Sequence, residues 1–188
     1  MRLVQSAIPG VVIVEPHVFS DERGWFAESW NEQKFADALR AIGQPPPQPF
    51  VQDNHSCSKA GVLRGLHYQL PPHAQGKLVR VVRGSAFDVA VDIRRGSSTF
   101  GRWAGALLDA SDHRQLWIPE GFAHAFLALE DDTHFLYKTT DVYAKDCERA
   151  LLWNDPAIGI VWPQVAGKLM VAAKDAAASL LVDADLPD

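Results

Sequence analysis

The chain has 188 residues, of which 47% are apolar and 22% charged, and its formal net charge is -5 at pH 7. This length suits one domain with a substantial buried core, and this composition excludes a disordered or fibrous protein. The acidic balance gives no support to general nucleic-acid binding, although a few local arginines can still bind a small anionic ligand.

The N-terminal segment and the cysteines indicate where the protein works. The first segment is apolar but interrupted by Pro9 and Pro16, so it predicts neither a signal peptide nor a transmembrane helix. Cys57 and Cys147 form no C-x-x-C pair, and reduced thiols are their simplest interpretation. We therefore expect a soluble cytoplasmic protein with no membrane association and no nucleic-acid partner.

One early helix is predicted from its start and stop signals. Ser29 and Glu32 have the spacing of a capping box, and Gly43 ends the pattern. The Pro-rich segment at 44–49 then predicts a stiff, extended connector. The apolar positions of the helix repeat at helical spacing, at Phe35, Leu39 and Ile42.

The dominant period of the remaining chain is two, which is typical of β-strands. In the segment 85–95 alternate apolar residues share one face, and Asp88, Ala90 and Asp92 share the other. The sequence Arg83-Gly84-Ser85 predicts a hairpin turn before this strand. Further strands are predicted at 11–14, 61–69, 77–84, 103–108, 114–119, 124–130 and 134–140.

Many short strands separated by Gly, Pro, Asp and Ser clusters favour a sandwich or jelly roll over alternating β and α units. The segment 174–181 predicts a short C-terminal helix. There is no internal repeat and no boundary that divides the core. The expected fold is all-β: a cupin-like jelly-roll sandwich formed by one domain, residues 1–188, with an early helix and a C-terminal helical segment.

His67, in the segment GVLRGLHYQ, has three possible roles: metal ligand, catalytic base or buried structural histidine. Metal-binding cupins usually have a second histidine two positions further on, but that position is Gln69, and His73 lies in a Pro-rich turn. Because a metal site needs three or four converging ligands, we expect no metal. A base requires an orienting carboxylate, and considered alone His67 fits a structural role best.

Several motifs together resemble the dTDP-4-dehydrorhamnose 3,5-epimerases of the RmlC type, in the cupin superfamily. The resemblance extends from about Ile8 to Leu181. It implies a jelly-roll isomerase without metal or other cofactor, usually a homodimer, that converts dTDP-4-keto-6-deoxy-D-glucose to dTDP-4-keto-L-rhamnose. The motifs that carry it are DERGWFAES, QDNHSCS, GVLRGLHYQ, QGKLVRVVRGSAFDVAVDIRRGSSTFG, QLWIPEGFAHAF, LYKTTDVYA and NDPAIGIVWP.

The resemblance also implies roles for five residues in the chemistry. The C4 ketone acidifies the hydrogens on C3 and C5, so a base can remove each proton and an acid can return one to the opposite face. His67 would be the base, oriented by Asp175. Lys77 would stabilise the enolate oxygen, and Tyr137 would be the acid. His124 would hydrogen-bond to the sugar.

The nucleotide part requires a second set of residues. Arg23 and Arg64 can hold diphosphate oxygens with bidentate geometry. Binding energy gained there positions the sugar for both proton transfers. The resemblance assigns further nucleotide contacts, including stacking on the thymine and acceptance of its ring N–H, to Gln52, Asn54, Phe26, Tyr143 and Glu28.

Three positions depart from the family pattern, and they leave other functions open. Ala125 replaces a glycine, which is expected to narrow the pocket beside His124, while Val142 and Lys145 flank Tyr143. The alternatives are an epimerase acting at C3 or C5 only on a related 4-keto-6-deoxysugar, a non-catalytic cupin that binds a sugar nucleotide, and a metal-dependent cupin.

Overall fold

The computed structural model describes residues 1–187, which form mainly short β-strands. The two α-helices are α1 (Glu32–Ala41) and α2 (Ala173–Ala176), and 3-10 turns occupy Lys145–Cys147 and Leu181–Asp183. The strands are β1 (Arg2–Gln5), β2 (Val12–Glu15), β3 (Val18–Asp21), β4 (Gly24–Ala27), β5 (Gln52–Ser58), β6 (Val62–Gln69), β7 (Lys77–Arg83), β8 (Ser85–Asp92), β9 (Trp103–Asp109), β10 (Gln115–Ile118), β11 (Phe122–Ala128), β12 (Thr133–Thr139), β13 (Glu148–Ala150) and β14 (Met170–Val171).

These strands form two sheets packed face to face. The first sheet has the order β1-β2-β10-β7-β12-β5, and the second has the order β13-β6-β11-β8-β9, with β14 joined to β6. Strands β3 and β4 form a separate hairpin. The predicted jelly-roll sandwich is confirmed. No helix within residues 1–187 has the length and apolar character needed to cross a membrane.

The core between the sheets comes from the inward-facing positions of the central strands. Val79 and Phe135 of the first sheet pack with Ala90 and Phe126 of the second. The rings of Phe126 and Phe135 stack with centroids 4.0 Å apart. Such packing stabilises the sandwich because it removes apolar surface from water, and it leaves the inward positions beyond it for polar side chains.

The outer faces of both sheets are also covered. Helix α1 places Phe35 and Leu39 on the first sheet. The C-terminal segment places Leu151 and Leu181 on the second sheet, against the outer face of β6 and β8. The returning C-terminal segment therefore lies beside β6 and brings α2 to that strand.

Helix α1 confirms the predicted stop signal but not the predicted cap. Its N-cap is Asn31, whose side chain accepts a hydrogen bond from the Lys34 amide at 3.0 Å, and not Ser29. Gly43 adopts φ 77° directly after the C-cap residue, as the stop signal requires. The capping-box prediction was wrong because Asn31 offers an equally good acceptor two residues later.

The predicted hairpin at Arg83-Gly84-Ser85 is wrong. Strands β7 and β8 lie in different sheets: β7 pairs with β10 and β12, and β8 pairs with β9 and β11. Gly84, with φ 73°, carries the chain from one sheet to the other, and a Cβ there would lie 2.6 Å from Thr133 Oγ1. A glycine turn between two alternating segments does not distinguish a hairpin from such a corner.

The predicted C-terminal helix at 174–181 is shorter than expected. Helix α2 is one turn long, and the chain then runs extended so that Ser179 O accepts the Leu152 amide at 2.8 Å. The buried Asp155 carboxylate accepts the Leu181 amide at 2.6 Å. These tertiary hydrogen bonds override the helical preference of the alanine-rich segment.

Candidate active site

A polar cavity of about 360 Å³ lies between the two sheets, and a second cavity of about 160 Å³ adjoins it. The two cavities share Asn54, His67, Lys77, Tyr137 and Glu148. Together they bring nine of the twelve predicted site residues into one place. These nine are Gln52, Asn54, Arg64, His67, Lys77, His124, Tyr137, Tyr143 and Asp175.

His67 on β6 is paired with the carboxylate of Asp175 on α2. His67 Nε2 lies 2.8 Å from Asp175 Oδ1, and the side chains are 26% and 2% exposed. Burial opposes ionisation of Asp175, but the hydrogen bonds and charge of His67, with the Gly65 amide, outweigh it and lower the pKa of the carboxyl. An ionised aspartate at this place fixes the ring orientation and stabilises an imidazolium.

Gly65 makes this pairing possible. Its amide donates to Asp175 Oδ2 at 3.2 Å, and its φ is 116°. A Cβ at this position would lie 2.4 Å from the carbonyl oxygen of His124 on the neighbouring strand. Only glycine allows β6 and β11 to approach so closely while the Gly65 amide faces Asp175.

Lys77 supplies a buried cation to the same cavity. It begins β7 and is only 8% exposed. Burial lowers its pKa to about 8, against the opposing influence of Asp88 and Glu148. Its ammonium reaches the His67 carbonyl oxygen only at 3.5 Å, so this group can still donate to an oxygen atom in the cavity.

Tyr137 faces the cavity from β12 of the first sheet, whereas His67 stands on the second sheet. Burial raises the pKa of its phenol, with a smaller opposing effect from Arg64. The phenol therefore stays protonated at neutral pH. An imidazole and a phenol on facing sheets can act on opposite faces of a ring bound between them.

His124 on β11 forms a second histidine–carboxylate pair. Its Nε2 lies 2.9 Å from Asp88 Oδ2 on β8, and both side chains are buried. Burial lowers the pKa of His124 and raises that of Asp88, and each residue partly offsets the shift of the other. Asp88 was not among the predicted site residues, although it is a carboxylate with apolar neighbours on both sides in β8.

The adjoining cavity contains a chain of polar contacts around Tyr143. Gln52 donates to Asn54 Oδ1 at 2.9 Å and accepts the Tyr143 amide at 3.0 Å. The Tyr143 hydroxyl donates to Glu148 at 3.1 Å, while its side chain stays largely exposed. This arrangement presents an aromatic ring and amide groups to a ligand.

Two charged residues that line the larger cavity were not predicted from the sequence. Glu148 on β13 and Lys174 at α2 both line the larger cavity, and their side chains form an ion pair at 3.2 Å. Lys174 adjoins Asp175 in the sequence, which offered a weak signal. Nothing in the sequence pattern marks Glu148, because pairing of β13 with β6 brings it to the site.

Three predicted site residues lie outside the lining of both cavities. Arg23 and Phe26 belong to the β3–β4 hairpin, where Phe26 is 67% exposed and Arg23 pairs with Asp21. Glu28 forms an ion pair with Lys34 at 2.8 Å. Within one chain, these residues do not join the other nine.

The remaining sequence-based points concern metal ligands and Ala125. Within residues 1–187, no three or more His, Cys, Asp or Glu side chains are grouped so that they could hold a metal ion. His73 is hydrogen-bonded to Asp141 at 3.0 Å.

Ala125 packs in the outer cluster with Leu66 and Val89, so its methyl group points away from the cavity. The expectation that it narrows the pocket is therefore wrong.

The fold and this cavity define a cupin-like jelly-roll protein whose histidine–carboxylate pair and facing phenol are suited to acid–base chemistry. The sequence profile described as dTDP-4-dehydrorhamnose 3,5-epimerase matches residues 5–183. The chain belongs to the dTDP-4-dehydrorhamnose 3,5-epimerase family.

Relatives agree with this assignment over the whole chain. The dTDP-4-dehydrorhamnose 3,5-epimerase of Shigella flexneri is 54% identical over 98% of each chain. The RmlC structure from Legionella pneumophila in complex with dTDP-4-keto-L-rhamnose is 44% identical, with a TM-score of 0.91 over 99% of this chain and 97% of that one. A 3'-monoepimerase from Streptomyces bikiniensis in complex with dTDP-quinovose is 35% identical, with a TM-score of 0.85 over 100% and 92%.

Proposed function

We propose that the protein is a dTDP-4-dehydrorhamnose 3,5-epimerase, a metal-independent isomerase that converts dTDP-4-keto-6-deoxy-D-glucose to dTDP-4-keto-L-rhamnose. The observation that carries this proposal is one cavity in which His67 of the second sheet, paired with Asp175 of α2, faces Tyr137 of the first sheet. The 54% identity to the Shigella flexneri enzyme over nearly the full chain supports the reaction and the substrate.

The proposed reaction is two successive proton exchanges beside a ketone. His67 takes the proton from C3 or C5, and the electrons of that C–H bond form a double bond between this carbon and C4. The π electrons of the C4 carbonyl move onto its oxygen. The Lys77 ammonium stabilises this enolate charge. Tyr137 then gives its proton to the opposite face of the same carbon, which inverts the centre. Solvent afterwards takes the proton from the imidazolium and restores the phenol.

The larger cavity also supports binding of the diphosphate. Arg64 lies at its rim and is held by Ser58 Oγ at 3.2 Å, and Lys174 lies beside Asp175. These two cations can bind an anion even though the protein as a whole carries a net negative charge. Gln52, Asn54 and Tyr143 are proposed to contact the nucleoside, with the exposed Tyr143 ring stacking on the base.

A homodimer is proposed to account for Arg23, Phe26 and Glu28. The β3–β4 hairpin exposes Phe19, Trp25 and Phe26, all more than half exposed, and pairs with neither sheet. Exposed aromatic groups on a projecting hairpin favour contact with another chain. In the proposed dimer, the hairpin of one chain reaches the cavity of its partner and contributes its substrate-binding residues there.

Complementation between two inactive variants tests this arrangement. The variant His67→Ala and the double variant Arg23→Ala/Phe26→Ala are mixed, unfolded and refolded together. If sites are shared, random pairing leaves about a quarter of the sites intact, and the mixture regains that share of wild-type activity. If no activity returns although mixed dimers form, each chain uses its own hairpin and the proposed sharing is incorrect.

The reaction itself is tested by NMR of the purified protein with dTDP-4-keto-6-deoxyglucose in deuterated water. Deuterium at both C3 and C5, with the L-rhamno product, supports the proposed function. Label at one carbon only indicates a mono-epimerase, an alternative kept open by the similar fold of the Streptomyces bikiniensis enzyme. Absence of label despite nucleotide binding indicates a binding protein. The proposed compartment is the cytoplasm, in keeping with the free thiols of Cys57 and Cys147.

A further inference from the structure

We propose that Asp88 is a positioning residue that holds the His124 ring as a hydrogen-bond acceptor toward a sugar hydroxyl and provides the counter-charge for Lys77. This inference deepens the proposed function and rests on it. It concerns a carboxylate to which neither the sequence analysis nor the proposed mechanism gives a role.

The site contains two histidine–carboxylate pairs on adjacent strands. His67 and His124 are partners in the β6–β11 ladder, and each has its Nε2 within 2.9 Å of an aspartate oxygen. The pairs differ in exposure: the His67 side chain is 26% exposed, whereas His124 is 8% and Asp88 is 0% exposed. The two pairs therefore have different electrostatic surroundings despite their similar contacts.

Asp88 is held by only one of its two oxygens. Oδ2 contacts His124, while Oδ1 is buried and has no hydrogen-bond partner within residues 1–187. Burial of a carboxylate with an unsatisfied oxygen costs free energy, and a nearby positive charge reduces that cost. His124 has the largest effect that favours the ionised form of Asp88, and Lys77 adds to it. The Lys77 ammonium has only the long contact to the His67 carbonyl oxygen.

The charged and titratable groups around Lys77 make Asp88 its main counter-ion. Asp88 is the stronger of the two acidic residues that favour its protonated form, and Glu148 is the weaker. Glu148 is already engaged by Lys174 and Tyr143. Asp175, the other carboxylate that lines the cavity, is engaged by His67 and the Gly65 amide. His67, His124 and Tyr137 supply no negative charge at neutral pH.

The same carboxylate determines which nitrogen of His124 carries hydrogen. In this proposal Asp88 is ionised, because His124 and then Lys77 oppose the effect of burial, which raises the pKa of its carboxyl. An ionised aspartate only accepts hydrogen bonds, so Nε2 of His124 would carry the hydrogen and Nδ1 would be an acceptor. Burial, with a smaller effect from the charge of Lys77, lowers the pKa of His124, so the ring stays neutral and binds a proton less strongly than an unperturbed imidazole. A fixed acceptor in the cavity suits a hydroxyl donor on the sugar, and it rejects a ligand that lacks one.

The variant Asp88→Asn tests both parts of the proposal. It keeps the shape of the side chain but removes the charge, and its amide can donate to Nε2, which moves the histidine hydrogen to Nδ1. We expect kcat/KM to fall on the order of 100-fold, as for loss of one positioned polar group. We also expect the alkaline limb of the kcat/KM profile to move to lower pH, while affinity for dTDP stays within about twofold of wild type because the nucleotide contacts are separate.

Asp92→Asn is the matched control. Asp92 is equally buried on the same strand, but it is bound by Arg94, Ser97 and Thr99 outside the cavity. Its loss should lower thermal stability without moving the alkaline limb. If Asp88→Asn likewise changes only stability, Asp88 is purely structural and the proposal is overturned.

Two NMR measurements keep the proposal testable where the proposed function fails, and the first needs only the wild-type protein. In the wild-type protein, nitrogen shifts should show hydrogen on His124 Nε2, and hydrogen on Nδ1 would contradict the acceptor role. Carbon-labelled lysine should show Lys77 losing its proton at lower pH in Asp88→Asn, and an unchanged titration would contradict the counter-charge role. Neither measurement needs turnover, so an inactive wild-type protein would overturn the proposed reaction separately.

Discussion

His67 and Tyr137 line the same cavity from opposite sheets, the imidazole on β6 and the phenol on β12. The sandwich therefore separates a proton acceptor from a proton donor by the space in which a sugar ring would lie. A fold with both groups on one sheet would present them to one face of the ring, and inversion requires two faces.

Removal of the base should stop exchange without removing the nucleotide site. We expect His67→Ala to lower deuterium incorporation at both carbons by on the order of 100- to 10,000-fold, with dTDP affinity nearly unchanged. The variant Asp175→Asn should also lower deuterium incorporation, since it removes the ionised carboxylate that lies 2.8 Å from His67 Nε2. Exchange is followed by NMR and affinity by calorimetry. Wild-type exchange in His67→Ala would remove this residue from the mechanism.

Removal of the phenol should separate the two halves of the reaction. In Tyr137→Phe we expect proton loss from the sugar to continue while reprotonation on the opposite face is impaired, because the aromatic ring remains but its proton is missing. The measurement compares loss of substrate C–H signals with formation of inverted product. A variant that loses only nucleotide affinity, with normal inversion at saturation, would show that Tyr137 is not the acid.

Activity should decline as the pH rises through about 8. The pKa of Lys77 is lowered from 10.5 to about 8 by burial, so its protonated form is present below that pH and is lost above it. An enolate-stabilising ammonium must be protonated, so the alkaline limb of kcat/KM reports this group. Lys77→Met should abolish most activity. Lys77→Arg should keep the positive charge, so kcat/KM should decline less at alkaline pH. A limb that is unchanged in Lys77→Arg would assign it to another group.

Gly65 should not tolerate a side chain. In Gly65→Ala the new methyl group meets the His124 carbonyl, and φ stays in the region that L-residues avoid, so we expect a loss of roughly 2–4 kcal/mol in the free energy of unfolding. Denaturant unfolding provides the measurement. Gly96→Ala is the control, since no atom lies within 4 Å of its added Cβ. Equal stability of the two variants would show that β6 and β11 can separate at little cost.

Local patterns were sufficient to predict most strands, because alternation of apolar residues directly reflects which side chains face a core. They were insufficient at Gly84, where pairing with distant strands decided that the turn joins two sheets. They also missed Asn31 as the cap of α1, since two nearby residues had suitable side chains. Errors therefore arose where several local solutions were possible and a tertiary contact selected one.

The same distinction applies to the site. His67, Lys77 and Tyr137 were identified through motifs, and each lies on a strand that is held in place by hydrogen-bonded neighbouring strands. Glu148 was missed because its position depends on how β13 pairs with β6. Arg23 and Phe26 lie on a hairpin that lines neither cavity of its own chain. If they act in a second chain, as proposed, no pattern within one sequence can specify that contact.

The hydrogen bond between His67 and Asp175 joins residues 108 positions apart, and the second of them arrives in the last short helix. During synthesis, nearly every strand of the sandwich leaves the ribosome before this carboxylate does. The imidazole is therefore without its orienting partner until residue 175 has been made, and cleavage between β14 and α2 would break the chain that brings Asp175 to β6. A helix of one turn, made after all the described strands, thus brings the orienting carboxylate to His67.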